Sequence, residues 1–416
     1  MKKFNEFLLK INNAVIEFLK KYWFWIALGL VLALAIGIRI PLYTKKTGDY
    51  NNFLVHWYEG CYTDAKAFLA SETADYTPSY IYFLVFLSWF RIQPDSNTLL
   101  FAIKTISVLF DFGTAFLVFW ILKYTLKKQD WVTLLGVFLA LFVPQIFLNS
   151  AFWGQCDSIF TFFIVFSIFF LLKKKPLLAT VMFALSFCFK LQSVFFLPVL
   201  ILLWLNKKYR LWYLLIIPVI YILMCVPAMI CGRSFISCIS VYFSQTADYT
   251  YLSLNAPNIY TFMYPTFKGN ESVTNHLVPA AVIFVAASTV VLCVFLFITH
   301  KDIKDEDLIK FAYLLTLFIP FVLPKMHERY FYVAEVMAVL YLTINPKKWY
   351  ISLLSIAGSF SGYNLYLFNT YYFNNPDVNL LIGASMISAA LILLCIDVFK
   401  GKEISFNKKE EAPNSL

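Results

Sequence analysis

A chain of 416 residues that is 61% hydrophobic, 19% aromatic and only 14% charged, with a mean hydropathy of +0.71, is excluded from the class of soluble globular proteins. Its formal charge of +10 would suggest nucleic acid in a soluble protein, but here the lysines and arginines sit in short loops between apolar runs. That is the positive-inside pattern of a polytopic membrane protein, with the lipid bilayer as partner and no nucleic acid.

In chain order, residues 1–21 carry Lys2, Lys3, Lys10, Lys20 and Lys21 with no cleavage-site pattern, which reads as an uncleaved cytoplasmic amphipathic segment. A first span over 22–40 is stopped by Pro41 and delivers Asp49 to the outer face. Residues 41–79 form the first external loop, polar and aromatic, with Phe53, Trp57 and Cys61 at the helical spacing of interfacial helices. The run 80–90 is too short to cross and is expected to be re-entrant or partial. Further spans follow at 99–122, 131–148, 158–172, 176–189, 194–205, 211–230, 277–299, 308–323, 331–344, 349–368 and 380–399. The expected fold is therefore all-α, a polytopic transmembrane helical bundle of about 12–13 membrane segments forming one domain over 1–400, with a cytoplasmic tail at 401–416.

Six basic loops set the orientation: Lys123/Lys127/Lys128, Lys173/Lys174/Lys175, Lys207/Lys208/Arg210, Lys301/Lys304, Lys347/Lys348 and Lys400/Lys402 are assigned to the cytoplasm. The loops 149–157, 190–193, 231–276, 324–330 and 369–379 are then external, on a plasma membrane. The eight cysteines show no CxxC and read as packing residues, with Cys231 and Cys238 the one pair placed to bridge outside.

The external loops hold the polar residues that can do work: Asp49, His56 and Asp75; Trp153, Gln155 and Asp157; Lys190 and Gln192; and the run from Lys325 through His327, Glu328 and Arg329 to Tyr330. Ionisable groups near lipid are expensive, so their gathering on one side marks an active-site face. Each has a plainer reading. Asp49 can be a solvated loop carboxylate, Trp153 an interfacial belt residue, Asp157 a helix N-cap and Lys190 a snorkelling side chain. Lys104 and Asp111, seven apart in one span, read as an internal ion pair, and His300 as a solvated loop residue. No His, Cys or Asp set has metal-ligand spacing. No cofactor is expected, although Asp49 with Asp157 is the one pair that could hold a divalent ion. The dense 325–330 run reads as a phosphate clamp. A carboxylate base and a cationic clamp at a lipid–water interface fit sugar transfer from a polyprenyl phosphate: the base takes the acceptor proton and the cations neutralise the departing phosphate.

The motifs carry a resemblance. Gly48-Asp49-Tyr50 with His56-Trp57, and Asp75-Tyr76-Thr77-Pro78, resemble first-loop motifs of the dolichyl-phosphate-glucose glucosyltransferases. Phe189-Lys190-Leu191-Gln192 and Met326-His327-Glu328-Arg329 resemble two later segments of the same enzymes. The stretch 149–157, taken with 326–330, is similar to prokaryotic relatives of the second mannosyltransferase of GPI-anchor assembly. Both groups belong to the GT-C class of membrane glycosyltransferases, and the similarity spans about residues 20–400. It implies an inverting transfer of a hexose, mannose or glucose, from a polyprenyl-phosphate sugar donor to a glycan or glycolipid acceptor on the external face. By the same resemblance Asp49 is the base and His327 and Arg329, with Lys190, bind the donor phosphate. Tyr50, His56, Trp57, Asp75, Tyr76, Trp153, Gln155, Asp157, Gln192, Glu328 and Tyr330 bind or orient substrate. Thr77 stands where the family prefers a second proline and Arg329 where the glucosyltransferases have lysine, which leaves the sugar open. The alternatives are a carrier or flippase for a lipid-linked or anionic substrate, and a structural membrane protein.

Overall fold

The computed structural model describes residues 2–247, 251–263, 271–370 and 375–402; from residue 403 the expected tail lies outside them. It is an all-α polytopic bundle. Helix α1 (Lys2–Arg39) runs 38 residues, about 57 Å at 1.5 Å per residue, before a short 3₁₀ turn carrying Pro41. No proline or glycine interrupts it before Gly29, so residues 1–21 and the first span, expected as two pieces, are continuous. The first loop holds a π turn (Tyr50–Leu54) and α2 (Val55–Ala70), which buries Val55, Trp57, Tyr58 and Cys61 and turns His56 and Glu59 outward, as expected of an interfacial helix.

Helix α3 (Pro78–Trp89) has 12 residues, about 18 Å, short of a hydrocarbon core of about 30 Å. Both its ends stay near the first loop. Thr77 Oγ1 donates to the Cys188 carbonyl at 2.6 Å, and beyond the other end Tyr58 donates to the Ile92 carbonyl at 2.6 Å. Helix α3 is therefore too short to cross such a core by itself, in keeping with the partial segment expected.

The remaining described helices are α4 (Asn97–Trp120), α5 (Asp130–Phe142), α6 (Pro144–Phe147), α7 (Asp157–Leu172), α8 (Pro176–Phe189), α9 (Leu197–Leu205), α10 (Ile216–Cys231), α11 (Phe235–Ala247), α12 (Glu271–Thr299), α13 (Asp305–Val322), α14 (Tyr332–Ile344), α15 (Trp349–Phe368) and α16 (Pro376–Phe399). Among the described residues five helices are long and apolar enough to cross a membrane by themselves, and the bent pair of α5 with the segment from Pro144 to Trp153 makes a sixth when taken as one span. The bend is 47° and coincides with Pro144, which has no N–H to continue the helix. Several other expected spans, α7, α8 and α9 among them, are shorter and lie buried among neighbours.

Three polar expectations are corrected. Asp111 does not pair with Lys104; it accepts from Arg39 at 3.2 Å, Ser150 at 2.5 Å and Tyr332 at 3.0 Å, because Arg39 at the end of α1 packs against it. Lys104 instead donates to the carbonyls of Leu42 (2.9 Å) and Lys45 (2.6 Å). His300 is buried, edge-on to Phe311 with ring centroids 4.9 Å apart, and not solvated. The described cysteines are all free, Cys231 and Cys238 included, and Cys238 faces Cys225 across α10 and α11.

The basic loops gather at one end. Lys128, Lys174 and Lys208, from three different loops, reach Glu306, Asp305 and Asp302 at 3.0, 2.5 and 2.6 Å. At the opposite end the loops carrying Asp49, Tyr76, Gln155, Lys190 and Arg329 converge on a cleft.

Candidate active site

The cleft encloses about 340 Å³ and is lined by Asp49, Phe53, Leu54, Trp57, Asp75, Tyr76, Gln155, Lys190, Leu254, Asn255, His327, Glu328, Arg329, Tyr330 and Tyr366. Residues from seven separate stretches of the sequence thus meet in one place.

Asp49 sits where the chain enters the π turn before α2. Its Oδ2 accepts from Trp153 Nε1 at 3.0 Å and from Gln155 Nε2, and its Oδ1 accepts from Tyr366 at 3.0 Å. The donors are themselves held. Tyr76 donates to Gln155 Oε1 at 3.0 Å, Thr47 donates to the Trp153 carbonyl at 3.1 Å, and the Tyr366 ring stacks on the Trp153 indole at 4.7 Å. The turn that presents Trp153 and Gln155 depends on Gly154 between them, whose φ of +81° is costly for any residue with a Cβ. That turn is not the interfacial belt the sequence suggested: Trp153 is fully buried, because the bend at Pro144 swings 148–156 into the bundle.

Behind the cleft lies Asp157. It is the first residue of α7 but not its cap, the N-cap position being Cys156. Its Oδ1 accepts from Lys190 and its Oδ2 from Asn149 at 2.8 Å, with Arg329 Nε 3.8 Å away. The Lys190–Asp157 pair is at most 5% exposed on either side chain. Asp157 therefore anchors the two cations. Aromatic faces complete the setting. Lys190 lies 5.7 Å from the ring centroids of both Tyr76 and Tyr330, and Arg329 lies 5.2 Å from that of Trp153.

The 326–330 run is fixed by a short parallel pairing in which β1 (Ser253–Leu254) joins β2 (Met326–His327). Gly362 of α15 closes the other side: a Cβ there would lie 2.5 Å from the Asn255 carbonyl oxygen and 2.7 Å from Glu328 Cβ. Burial, with Arg329 and Lys190 nearby, pushes the His327 imidazole well below its ordinary value, so it is neutral near pH 7 and offers a hydrogen bond, not the positive charge expected of it. Burial raises the Glu328 carboxyl to about 7 against the pull of Arg329. Arg329 lies 3.6 Å from Glu328; burial lowers it, but Tyr330, Tyr76, Asp157 and Glu328 together hold it well above its usual value. It stays a cation at any working pH.

Five expected residues do not line the cleft: Trp153 and Asp157 sit behind it and hold residues that do, and His56, Tyr50 and Gln192 lie apart. His56 is one position, about 100° of helix, from Trp57 and faces outward toward Glu59 at 3.9 Å. Tyr50 is fully buried beneath the cleft, and Gln192 is buried behind Lys190 without lining it. Tyr366, Leu254 and Asn255 were missed. Tyr366 lies at the C-terminal end of a tyrosine-bearing helix, a signal of sorts; Leu254 and Asn255 come from the long 231–276 loop, where no motif marks them.

The sequence model of glycosyltransferase family 87 matches residues 75–324, a range that includes Asp75, Tyr76, Trp153, Gln155, Asp157, Lys190 and Gln192 but neither Asp49 nor residues 327–330. GPI mannosyltransferase 1 of Saccharomyces cerevisiae is 26% identical over 164 residues, which make up 38% of this chain and 38% of the yeast protein. The chain thus matches about two fifths of the length of that curated relative.

Proposed function

The chain belongs to glycosyltransferase family 87, and we propose that it transfers a hexose, mannose or glucose, from a polyprenyl-phosphate donor to a glycan or glycolipid acceptor at the external face of the plasma membrane, with inversion. The observation that carries this reading is that Asp49 lines one cleft together with Lys190 and Arg329. A carboxylate has about four lone-pair sites. Trp153, Gln155 and Tyr366 take three, two on Oδ2 and one on Oδ1, which leaves Oδ1 able to accept from a substrate hydroxyl.

In this mechanism the acceptor hydroxyl gives its proton to Asp49 as its oxygen bonds the anomeric carbon. The bond from that carbon to the phosphate oxygen breaks, and the electron pair leaves with the lipid phosphate. Arg329 and Lys190 meet the developing charge, and neutral His327 contributes an N–H. Inversion requires that the sugar bind with its acceptor-facing side toward Asp49 and its phosphate on the opposite face, toward the cations. Trp57, Tyr76 and Tyr330 offer aromatic faces to the sugar, and Asp75 an acceptor for its hydroxyls. The yeast relative's name supports mannose as the first donor to try.

The test is purified protein in detergent with radiolabelled polyprenyl-phosphate mannose, polyprenyl-phosphate glucose or a nucleotide-sugar, each with a lipid extract of the host. Label moving to lipid-soluble or glycan product only from a polyprenyl-phosphate sugar is the expected result, and transfer from the nucleotide-sugar alone would overturn the donor class. For the orientation, Glu59→Cys and Asn375→Cys in a cysteine-free background should react with an impermeant maleimide on intact cells while Lys174→Cys and Lys301→Cys do not; the reverse pattern would put the site inside.

A further inference from the structure

Lys104 is buried beneath the cleft end of the bundle and forms no salt bridge with a described carboxylate. Its side chain is fully inaccessible, and its ammonium donates to two backbone oxygens, Leu42 O at 2.9 Å and Lys45 O at 2.6 Å. A buried charge is expensive when no opposite charge offsets it, so a lysine kept there calls for a reason. Part of the reason is local. Leu42 ends the 3₁₀ turn that follows α1 and Lys45 lies three residues further on, so the ammonium binds the chain where the helix gives way to the first loop.

The second part is where those carbonyls lead. Lys45 is four residues before Asp49, and the intervening Thr47 is tied to the Trp153 carbonyl at 3.1 Å. The stem of Lys104 also runs beneath Gly154: a Cβ on that glycine would lie 3.5 Å from Lys104 Cγ and 3.8 Å from Cε. Gly154 joins Trp153 to Gln155, the two residues that grip Asp49 Oδ2. One side chain from α4 thus holds both halves of the grip, the loop that carries the carboxylate and the turn that carries its donors.

We propose that Lys104 is a positioning residue for the reaction, setting the Asp49 carboxylate against Trp153 and Gln155 without touching substrate. This rests on Asp49 acting as base. Misplacing a reacting group by about 1 Å can cost 10²-fold in rate, so losing the ammonium should lower kcat and leave donor binding, which takes place at Lys190 and Arg329, as it was.

The experiment is a double-mutant cycle on the full-length protein, with radiolabelled polyprenyl-phosphate mannose and host lipid extract as probe. Lys104→Met, which keeps the stem and removes the donors, should lower kcat roughly 10- to 100-fold with the donor KM unchanged. In an Asp49→Asn background the same change should cost little further, since the group it positions is already gone. If Lys104→Met does not fold, Lys104→Gln, which retains one amide donor, is taken through the same cycle. A raised donor KM, full activity of the Lys104 variant beside an inactive Asp49→Asn, or losses that simply multiply would each overturn the positioning role and spare the base. A fully active Asp49→Asn, or a wild type that transfers nothing, would overturn the reading of the site and this role with it.

Discussion

Both ends of the bundle pair lysines with carboxylates, but in opposite surroundings. At the basic end Lys174 and Asp305 are 69% and 39% exposed, and Lys208 and Asp302 are 37% and 80% exposed. Such pairs sit in water and salt and are worth about 0–1 kcal/mol each. At the cleft end Lys190 and Asp157 are 5% and 1% exposed, and Arg329 is 12% exposed. There desolvation rivals the attraction, and a pair that contributes little net stability is retained for what it holds in place. The basic end thus keeps its ion pairs in water, and the cleft end keeps them buried.

The sharpest way to break that contrast is at Asp49. Asp49→Asn keeps size and most of the hydrogen-bonding shape but removes the base, so transfer should fall roughly 10²–10⁴-fold while the donor still binds. Normal turnover in the folded variant would reduce the cleft to a structural pocket. Next, Lys190→Met takes from buried Asp157 its shortest-range cation and leaves it only Asn149 at 2.8 Å and Arg329 at 3.8 Å. The loss should be about 3–5 kcal/mol, read as a large drop in thermal midpoint, whereas Lys190→Met with Asp157→Asn should recover much of it. No recovery would mean that the lysine, and not the pair, sets the stability.

Arg329→Ala should weaken donor binding by about 2–5 kcal/mol, with Arg329→Lys restoring part of it because an ammonium lacks the planar fork. An unchanged donor KM beside a lower melting temperature would remove the phosphate role. Glu328 gives a pH signature. Its folded value, about 7, lies above the ordinary carboxylate range, so the unfolded chain releases this proton first. Stability is therefore lost as pH rises from about 4.5 to about 7, by something on the order of 3 kcal/mol. Glu328→Gln should flatten that slope, and an unaltered slope would show that the carboxyl ionises freely. The smallest effect belongs to the basic end: Lys174→Ala should change stability by less than about 1 kcal/mol and leave transfer intact.

The sequence carried the site unevenly. Asp49, Tyr76, Gln155, Lys190, Arg329 and Tyr330 were legible because a polar residue beside a membrane span is costly wherever the chain ends up, and each lies in a compact cluster of such residues. His56 was misplaced because adjacency in sequence to Trp57 says nothing of which helical face turns inward. His327 was identified by position but misjudged in charge, since its neutrality comes from burial beside Arg329 and Lys190, groups 2 and 137 residues away. Lys104 and Asp111 were paired by helical spacing, yet each found a nearer partner on another element.

What the sequence alone determined is the membrane bundle, the alternation of its loops and the presence of acid and base at one end. Hydrophobic run length and the cost of charge in lipid act locally and leave their mark on the chain. What only the tertiary structure decided is the grip on Asp49. Tyr366 lies 317 residues from it and Trp153 lies 104, and no local pattern specifies a hydrogen bond across that distance. The bend at Pro144 and the positive φ at Gly154 bring the donors there, and the close approach at Gly362 shuts the cleft behind Glu328. These are facts of packing, set by which surfaces fit once the helices have already formed.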